Sequence, residues 1–109
     1  MKPVAWLGDS RERLRTFPTD AMRDLGYQLE NVQRGDEPRD WKPMPTVGAG
    51  VNELRTQAGG AYRLMYVARL PEAIYVLHTF QKKSRKTAKA DLELAQRRLR
   101  AVLLERQRT

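Results

Sequence analysis

The sequence predicts an α+β fold, in which an antiparallel sheet packs against helices from both ends of the chain. Residues 51–81 contain three strand-like segments that are separated by short turns rich in Gly or Pro. Apolar residues at helical spacing occur on either side of these segments, over residues 18–34 and 88–106. The chain is short and has no internal repeat, so a single domain over residues 1–109 is expected.

The N-terminal part is predicted to contain an edge strand and two helices. Residues 4–7 are a short apolar run that follows a proline, which favours an edge strand. Asp9 and Glu12 are three residues apart, as in a capping box, and predict a short helix over residues 10–15. A second helix is predicted from Pro18 to about residue 34. Its buried stripe would consist of Met22, Leu25, Leu29 and Val32.

The central part is predicted to form a loop followed by a meander. Residues 36–50 contain three prolines and two glycines, so an irregular loop is expected there. Strands are predicted at residues 51–57, 61–68 and 74–81. The last of these carries bulky side chains on both faces, which is typical of a central strand. Strict alternation would place on one face Ile74, Val76, His78 and Phe80.

The positive charge is concentrated near the C-terminus. The net charge is +8, with 21 Lys and Arg against 13 Asp and Glu. Most of the excess lies in residues 80–109, which hold ten basic and three acidic residues. A localised cationic field of this kind is typical of proteins that bind nucleic acid or an acidic protein partner. The alternative is a basic surface with no specific partner.

The composition also excludes some kinds of site. The chain has no cysteine, which excludes disulfides and thiolate-bound metals. With one histidine, a zinc or iron site would have to rest almost entirely on carboxylates, so no metal site is expected. No cofactor is expected either. The first residues have too short an apolar run for a signal peptide, and no later segment is apolar enough to span a bilayer. We therefore expect a cytoplasmic protein.

Cationic and aromatic side chains interrupt the apolar pattern of the predicted strands. Arg63 lies in a strand with no other charge, and a buried arginine needs a partner or a cleft. Adjacent strands lie about 4.8 Å apart, so cations on neighbouring strands can converge on one phosphate group. This pattern suggests RNA binding. The candidate functional residues in or just after the strands are Arg55, Arg63, Tyr66, His78, Lys82 and Lys83.

Four segments resemble the phage-derived, HigB-like branch of the RelE/ParE toxin superfamily of bacterial type II toxin–antitoxin systems. They are FPTDAMRDLGYQLENVQRGDEPRDWKPM, VGAGVNELR, GGAYRLMYVA and IYVLHTFQKKSRKT, and together they cover most of the chain. The resemblance implies a compact RelE-like domain with two N-terminal helices on one side of the sheet and a C-terminal helix beside it. It also implies an mRNA interferase, an endoribonuclease that inhibits translation by cutting mRNA on the ribosome. A cognate helix-turn-helix antitoxin would neutralise it in a hetero-oligomer.

The resemblance also suggests roles for individual residues. Metal-independent RNA cleavage uses the 2′-hydroxyl as nucleophile and needs a base, an acid and cations on the phosphate. Arg63 and the pair Lys82–Lys83 match positions of phosphate-stabilising cations, and Arg55 is a further candidate. Tyr66 or His78 would transfer protons, or Tyr66 would stack on a base. RNA-binding residues around this centre would be Lys42, Arg85, Lys86 and Lys89.

Two other functions remain open at this point. A ParE-like inhibitor of DNA gyrase would share the fold and the antitoxin but would need no site for cleaving phosphodiesters. A non-catalytic RNA- or DNA-binding module is the third possibility. Convergence of Arg55, Arg63 and Lys82 on one face of the sheet would favour the ribonuclease, whereas a dispersed arrangement would favour the gyrase inhibitor.

Overall fold

One five-stranded sheet organises the molecule, and helices cover both of its faces. The computed structural model describes residues 1–108 and confirms the α+β class. The elements in chain order are β1 (Val4–Trp6), α1 (Ser10–Arg15), α2 (Thr19–Gln33), β2 (Trp41–Pro43), β3 (Val51–Thr56), β4 (Tyr62–Val67), β5 (Ile74–Gln81) and α3 (Lys89–Arg108).

The strand order is β1-β5-β4-β3-β2, and the predicted meander of β3, β4 and β5 is confirmed. β5 has neighbours on both sides, as expected for a central strand. β1 pairs with β5 in parallel, with Val4 opposite Ile74, so the sheet is mixed instead of antiparallel throughout. Parallel neighbours need a crossover connection, and here the chain between β1 and β5 contains α1, α2 and the other three strands.

The prediction of an irregular loop over residues 36–50 is wrong for three residues. β2 forms there and pairs with β3, with Trp41 opposite Leu54 and Lys42 opposite Glu53. β2 is an edge strand, where a proline such as Pro43 is tolerated because one side of the strand needs no hydrogen-bonding partner. The pairing brings a lysine from a proline-rich segment next to a glutamate on β3.

A bulge in β5 overturns the predicted alternation of that strand. Met65 pairs with His78 while Tyr66 pairs with Val76, so Leu77 is an extra residue on β5. Residues before the bulge therefore face α2, whereas residues after it on the predicted face point towards α3. The first group is Ile74 and Val76, and the second is His78 and Phe80; the bulge residue Leu77 also faces α3.

Each face of the sheet has its own hydrophobic core. On one face α2 buries Leu25 and Leu29 against strand residues that include Leu54 and Leu64. On the other face lie Val51, Met65, Val67, Leu77, Ala95, Leu99 and Val102. Burying a side chain such as Leu contributes about 1.5–3 kcal/mol to the free energy of unfolding. The buried apolar residues of α2 and α3 therefore provide most of the energy that holds these helices on the sheet. Within residues 1–108 no helix is long and apolar enough to cross a membrane.

Candidate nucleic-acid interface

Part of the α3-facing side of the sheet carries charged instead of apolar side chains. Strand pairing places Glu53 opposite Met65 and Arg55 opposite Arg63, so these residues share one face. The charges of Lys42 and Lys82 act on the Glu53 carboxylate together with those of the two arginines. We call this set the cationic face; it consists of Lys42, Glu53, Arg55, Arg63 and Lys82. Arg55, Arg63 and Lys82 therefore lie on the same face.

Glu53 and Arg63 form a buried pair at the centre of the cationic face. Their side chains are 1% and 7% exposed, and Arg63 Nε lies 3.5 Å from Glu53 Oε1. Arg63 Nη1 donates to the carbonyl of Tyr62 at 3.0 Å. Among residues 1–108, neither Glu53 oxygen nor Arg63 Nε has a hydrogen-bond partner. Buried charged groups without full hydrogen bonding are costly, which points to a functional reason for the pair.

Burial dominates the electrostatics of this pair. It raises the pKa of Glu53, and the positive charges of Arg63, Lys42, Lys82 and Arg55 only partly oppose the rise. Burial likewise lowers the pKa of Arg63, against the opposite effect of Glu53. Sequence reasoning missed Glu53. Its signal was present, because Glu53 and Val51 are two residues apart on a strand and therefore share the same face, which Val51 would bury.

Arg55 is fixed by contacts from the segment before β2. Its Nε and Nη2 donate to Asp40 Oδ1 at 3.0 and 2.8 Å. The fully buried Gln28 of α2 donates to the Arg55 carbonyl and accepts from the Asp40 backbone N–H, both at 2.9 Å. Neither Gln28 nor Asp40 was predicted from the sequence to be functional. For Gln28 the sequence did contain a signal, because this polar residue lies between Leu25 and Leu29 on the apolar stripe of α2.

The loop between β5 and α3 supplies the exposed cations. Lys82 is half-buried and its backbone N–H donates to the Ala61 carbonyl at 2.8 Å. The exposed basic residues that follow are Lys83, Arg85, Lys86 and Lys89. Lys89 pairs with Glu93 at 3.7 Å. In the part of the chain that the structure describes, no carboxylate lies within 4.0 Å of Lys42, Lys82 or Lys83.

The two predicted proton-transfer residues lie away from these cations. Tyr66 is on the α2 face, 2% exposed, and burial raises its pKa, an effect that the neighbouring Asn52 side chain opposes only in part. His78 is fully buried beneath the start of α3 and stacks on Phe80 at 4.9 Å between ring centroids. The structure therefore brings neither Tyr66 nor His78 to the surface of the cationic face.

His78 is paired with Asp91 of α3. Its Nε2 lies 2.7 Å from Asp91 Oδ1, and because a carboxylate only accepts, the neutral ring carries its proton on Nε2. Nδ1 is buried and has no hydrogen-bond partner among the described residues. His78 thus acts as a support that fixes the Asp91 side chain. No group of three or more His, Asp or Glu side chains in residues 1–108 is arranged to hold a metal ion.

We expect His78 to stay neutral in the folded protein at pH 6.5, because burial lowers its pKa more than Asp91 raises it. The unfolded chain takes up this proton near pH 6.5. The stability that His78 contributes is therefore present above about pH 6.5 and is lost as the pH falls through the lower, folded pKa. NMR titration of the ring protons measures this directly, because His78 is the only histidine of the sequence. A midpoint at or above pH 6.5 would contradict the expectation.

The chain matches a known family over most of its length. The model of the family described as phage-derived protein Gp49-like (DUF891) covers residues 12–100. This stretch includes α2, strands β2 to β5 and more than half of α3, and hence every residue of the cationic face. A search of curated proteins gives no significant match. The protein belongs to the phage-derived Gp49-like family.

Proposed function

We propose that the protein is the toxin of a type II toxin–antitoxin system and acts as a ribosome-dependent endoribonuclease. The observation that carries the proposal is the cationic face, where four basic side chains gather around one buried carboxylate. The Gp49-like family is associated with RelE-like toxins, and the sequence resembles the HigB-like branch of those toxins. Convergence of Arg55, Arg63 and Lys82 favours the ribonuclease over the gyrase inhibitor, which needs no site for a phosphodiester.

The proposed reaction is attack by the 2′-hydroxyl oxygen of RNA on the adjacent phosphorus. The 2′-hydroxyl loses its proton to solvent, the bond from phosphorus to the 5′-oxygen of the next nucleotide breaks, and that oxygen takes up a proton from solvent, so the reaction consumes no net proton. Negative charge builds up on the phosphate oxygens in the transition state, where fixed cations stabilise it. Lys42 and Lys82 lie at the accessible part of the face and would contact the phosphate. Arg63 would add its charge from beneath, in a region where the low dielectric strengthens it.

The proposed partner is a cognate helix-turn-helix antitoxin that covers the cationic face with an acidic segment. Charge complementarity supports this choice, because the lysines of the face and Lys83 have no carboxylate within ion-pair distance among the described residues. The partner would then occupy the surface that binds RNA. Neutralisation would result from direct competition between the acidic segment and the phosphate backbone.

Induced expression in bacteria, with mapping of mRNA 5′ ends, tests the proposed function. New ends inside translated reading frames are the expected result. Growth arrest with intact mRNA would contradict the ribonuclease and favour a gyrase inhibitor. A folded protein without any effect on growth or mRNA would favour the non-catalytic binding module. For any variant that removes a basic residue of the cationic face, Arg23→Gln is a suitable control. Arg23 is exposed on α2, the helix on the other face of the sheet.

A further inference from the structure

A cleft of about 510 Å³ lies at the edge of the sheet beside the cationic face. It exists because β1 pairs only with residues 74–76 of β5, which leaves the last residues of β5 without a strand on that side. α1 borders the cleft on one side, and the loop before α3 borders it on the other. The side chains that give the cleft its chemistry are Arg13, Phe17, Tyr62, Lys82, Lys83 and Asp91.

Aromatic rings and cations meet in this cleft. The rings of Phe17 and Tyr62 lie 4.5 Å apart between centroids, at an angle of 41°. Arg13 is exposed, and only its Nε contacts Asp9 among the described residues. Lys82 and Lys83 add two further positive charges. Proteins bind single-stranded nucleic acid with this combination, in which bases stack on aromatic rings and cations follow the backbone.

Asp91 makes the cleft a poor site for phosphate alone. Its carboxylate is 23% exposed, and one oxygen is fixed by the buried His78. A carboxylate repels phosphate oxygens but accepts hydrogen bonds from the amino groups of bases, as in pairing with the amino group of cytosine. The cleft therefore offers an apolar wall for a ring and an acceptor for the edge of that ring.

We propose that this cleft binds a base of single-stranded RNA that carries an exocyclic amino group, and that Asp91 determines this specificity. The proposal rests on the proposed function for its choice of RNA as ligand. Lys82 links the two sites, because it lines the cleft and its charge also acts on Glu53 of the cationic face. The base in the cleft thus belongs to a nucleotide next to the phosphate on that face.

Fluorescence anisotropy with short 2′-O-methyl RNA oligonucleotides, which cannot be cleaved through the 2′-hydroxyl, tests the cleft on the full chain at one fixed salt concentration. The wild type is expected to bind oligocytidine more tightly than oligouridine. Phe17→Leu keeps an apolar side chain but loses stacking, and should weaken oligocytidine binding about tenfold. Asp91→Asn should abolish the preference for cytosine, while its amide oxygen can still accept from His78. Arg13→Gln removes one positive charge from the cleft and should weaken binding. Arg23→Gln removes one positive charge elsewhere and is the matched control, which should bind as the wild type does.

The outcomes separate this inference from the proposed function. If Phe17→Leu and Asp91→Asn both keep the binding and the base preference of the wild type, the cleft does not bind the base. This result would leave the proposed function intact if the wild type cuts mRNA. If the wild type cuts no mRNA but shows the Asp91-dependent preference, base binding in the cleft is supported and the ribonuclease activity is contradicted. Failure of the folded wild type to bind any of the oligonucleotides would also overturn the cleft. Thermal unfolding of each variant checks that the fold is intact.

Discussion

Replacing Arg63 with Met is expected to lower the free energy of unfolding by about 3–5 kcal/mol at pH 7, because the Glu53 carboxylate would stay buried without its counter-charge. Glu53→Met should be destabilising for the same reason, since it leaves the Arg63 guanidinium buried. The double variant Glu53→Met/Arg63→Met removes both charges and should be more stable than either single variant. Urea unfolding of the four proteins gives the coupling energy. Additive effects of the two single changes would contradict a coupled pair.

The pH dependence of these variants gives a second test of the same pair. The pKa of Glu53 is raised in the folded state, so its stabilising contribution is fully present below about pH 4.5 and is lost as the pH rises through the folded pKa. Arg63→Met removes the cation whose charge opposes that rise most strongly. The deficit of Arg63→Met relative to the double variant should therefore be larger at pH 8 than at pH 5. An equal deficit at both pH values would show that Glu53 does not titrate in this range.

Lys82→Gln is expected to reduce the rate of mRNA cleavage on the ribosome by about 10²–10³-fold, because it removes one fixed cation from the developing phosphate charge. The fold should tolerate the change. Lys82 is half-buried, and no carboxylate among residues 1–108 lies within ion-pair distance of its amino group. Substitutions that break no such contact usually change the free energy of unfolding by less than about 0.5 kcal/mol. Single-turnover cleavage of ribosome-bound mRNA is the measurement. Arg23→Gln should cleave at the wild-type rate.

A loss of less than about threefold in Lys82→Gln would remove Lys82 from the reaction, since one fixed donor at such a site is worth far more than that. If Lys82→Gln also lost its fold, the comparison would move to Lys42→Gln. Lys42 lies on β2 on the same face and likewise acts on Glu53. Equal cleavage by folded Lys42→Gln, folded Lys82→Gln and the wild type would place the reaction outside the cationic face.

Much of the fold could be predicted because its signals are local. The apolar stripe of α2 and the uninterrupted segment of β5 each identify an element within one stretch of chain. The direction of β1 could not be predicted, because an apolar run of three or four residues has no directional signal. The bulge at Leu77 was equally hidden, since Leu77 and His78 are both compatible with a buried face and only pairing with β4 reveals the extra residue.

The candidate site could be predicted only where strand alternation and register decide it. Strict alternation along β4 puts Arg63 and Tyr66 on opposite faces of the sheet, and the structure agrees. The contact between His78 and Asp91 joins β5 to α3, and no short-range pattern encodes such a contact. Glu53 was missed because a glutamate two residues before an arginine resembles a surface residue, although it shares a strand face with Val51. The pairing of β3 with β2 and β4 shows that it is enclosed.

The most direct test of the proposed function asks whether the 2′-hydroxyl of RNA is the nucleophile. Ribosomes carrying an mRNA in the A site would be incubated with the purified protein, in parallel with the same mRNA containing one 2′-deoxynucleotide at the position that is cut. We predict cleavage of the first mRNA only, with a 5′-hydroxyl on the downstream product and a 2′,3′-cyclic phosphate or its opened form on the upstream one. Cleavage of both mRNAs would contradict attack by the 2′-hydroxyl, and cleavage of neither would contradict the ribonuclease itself.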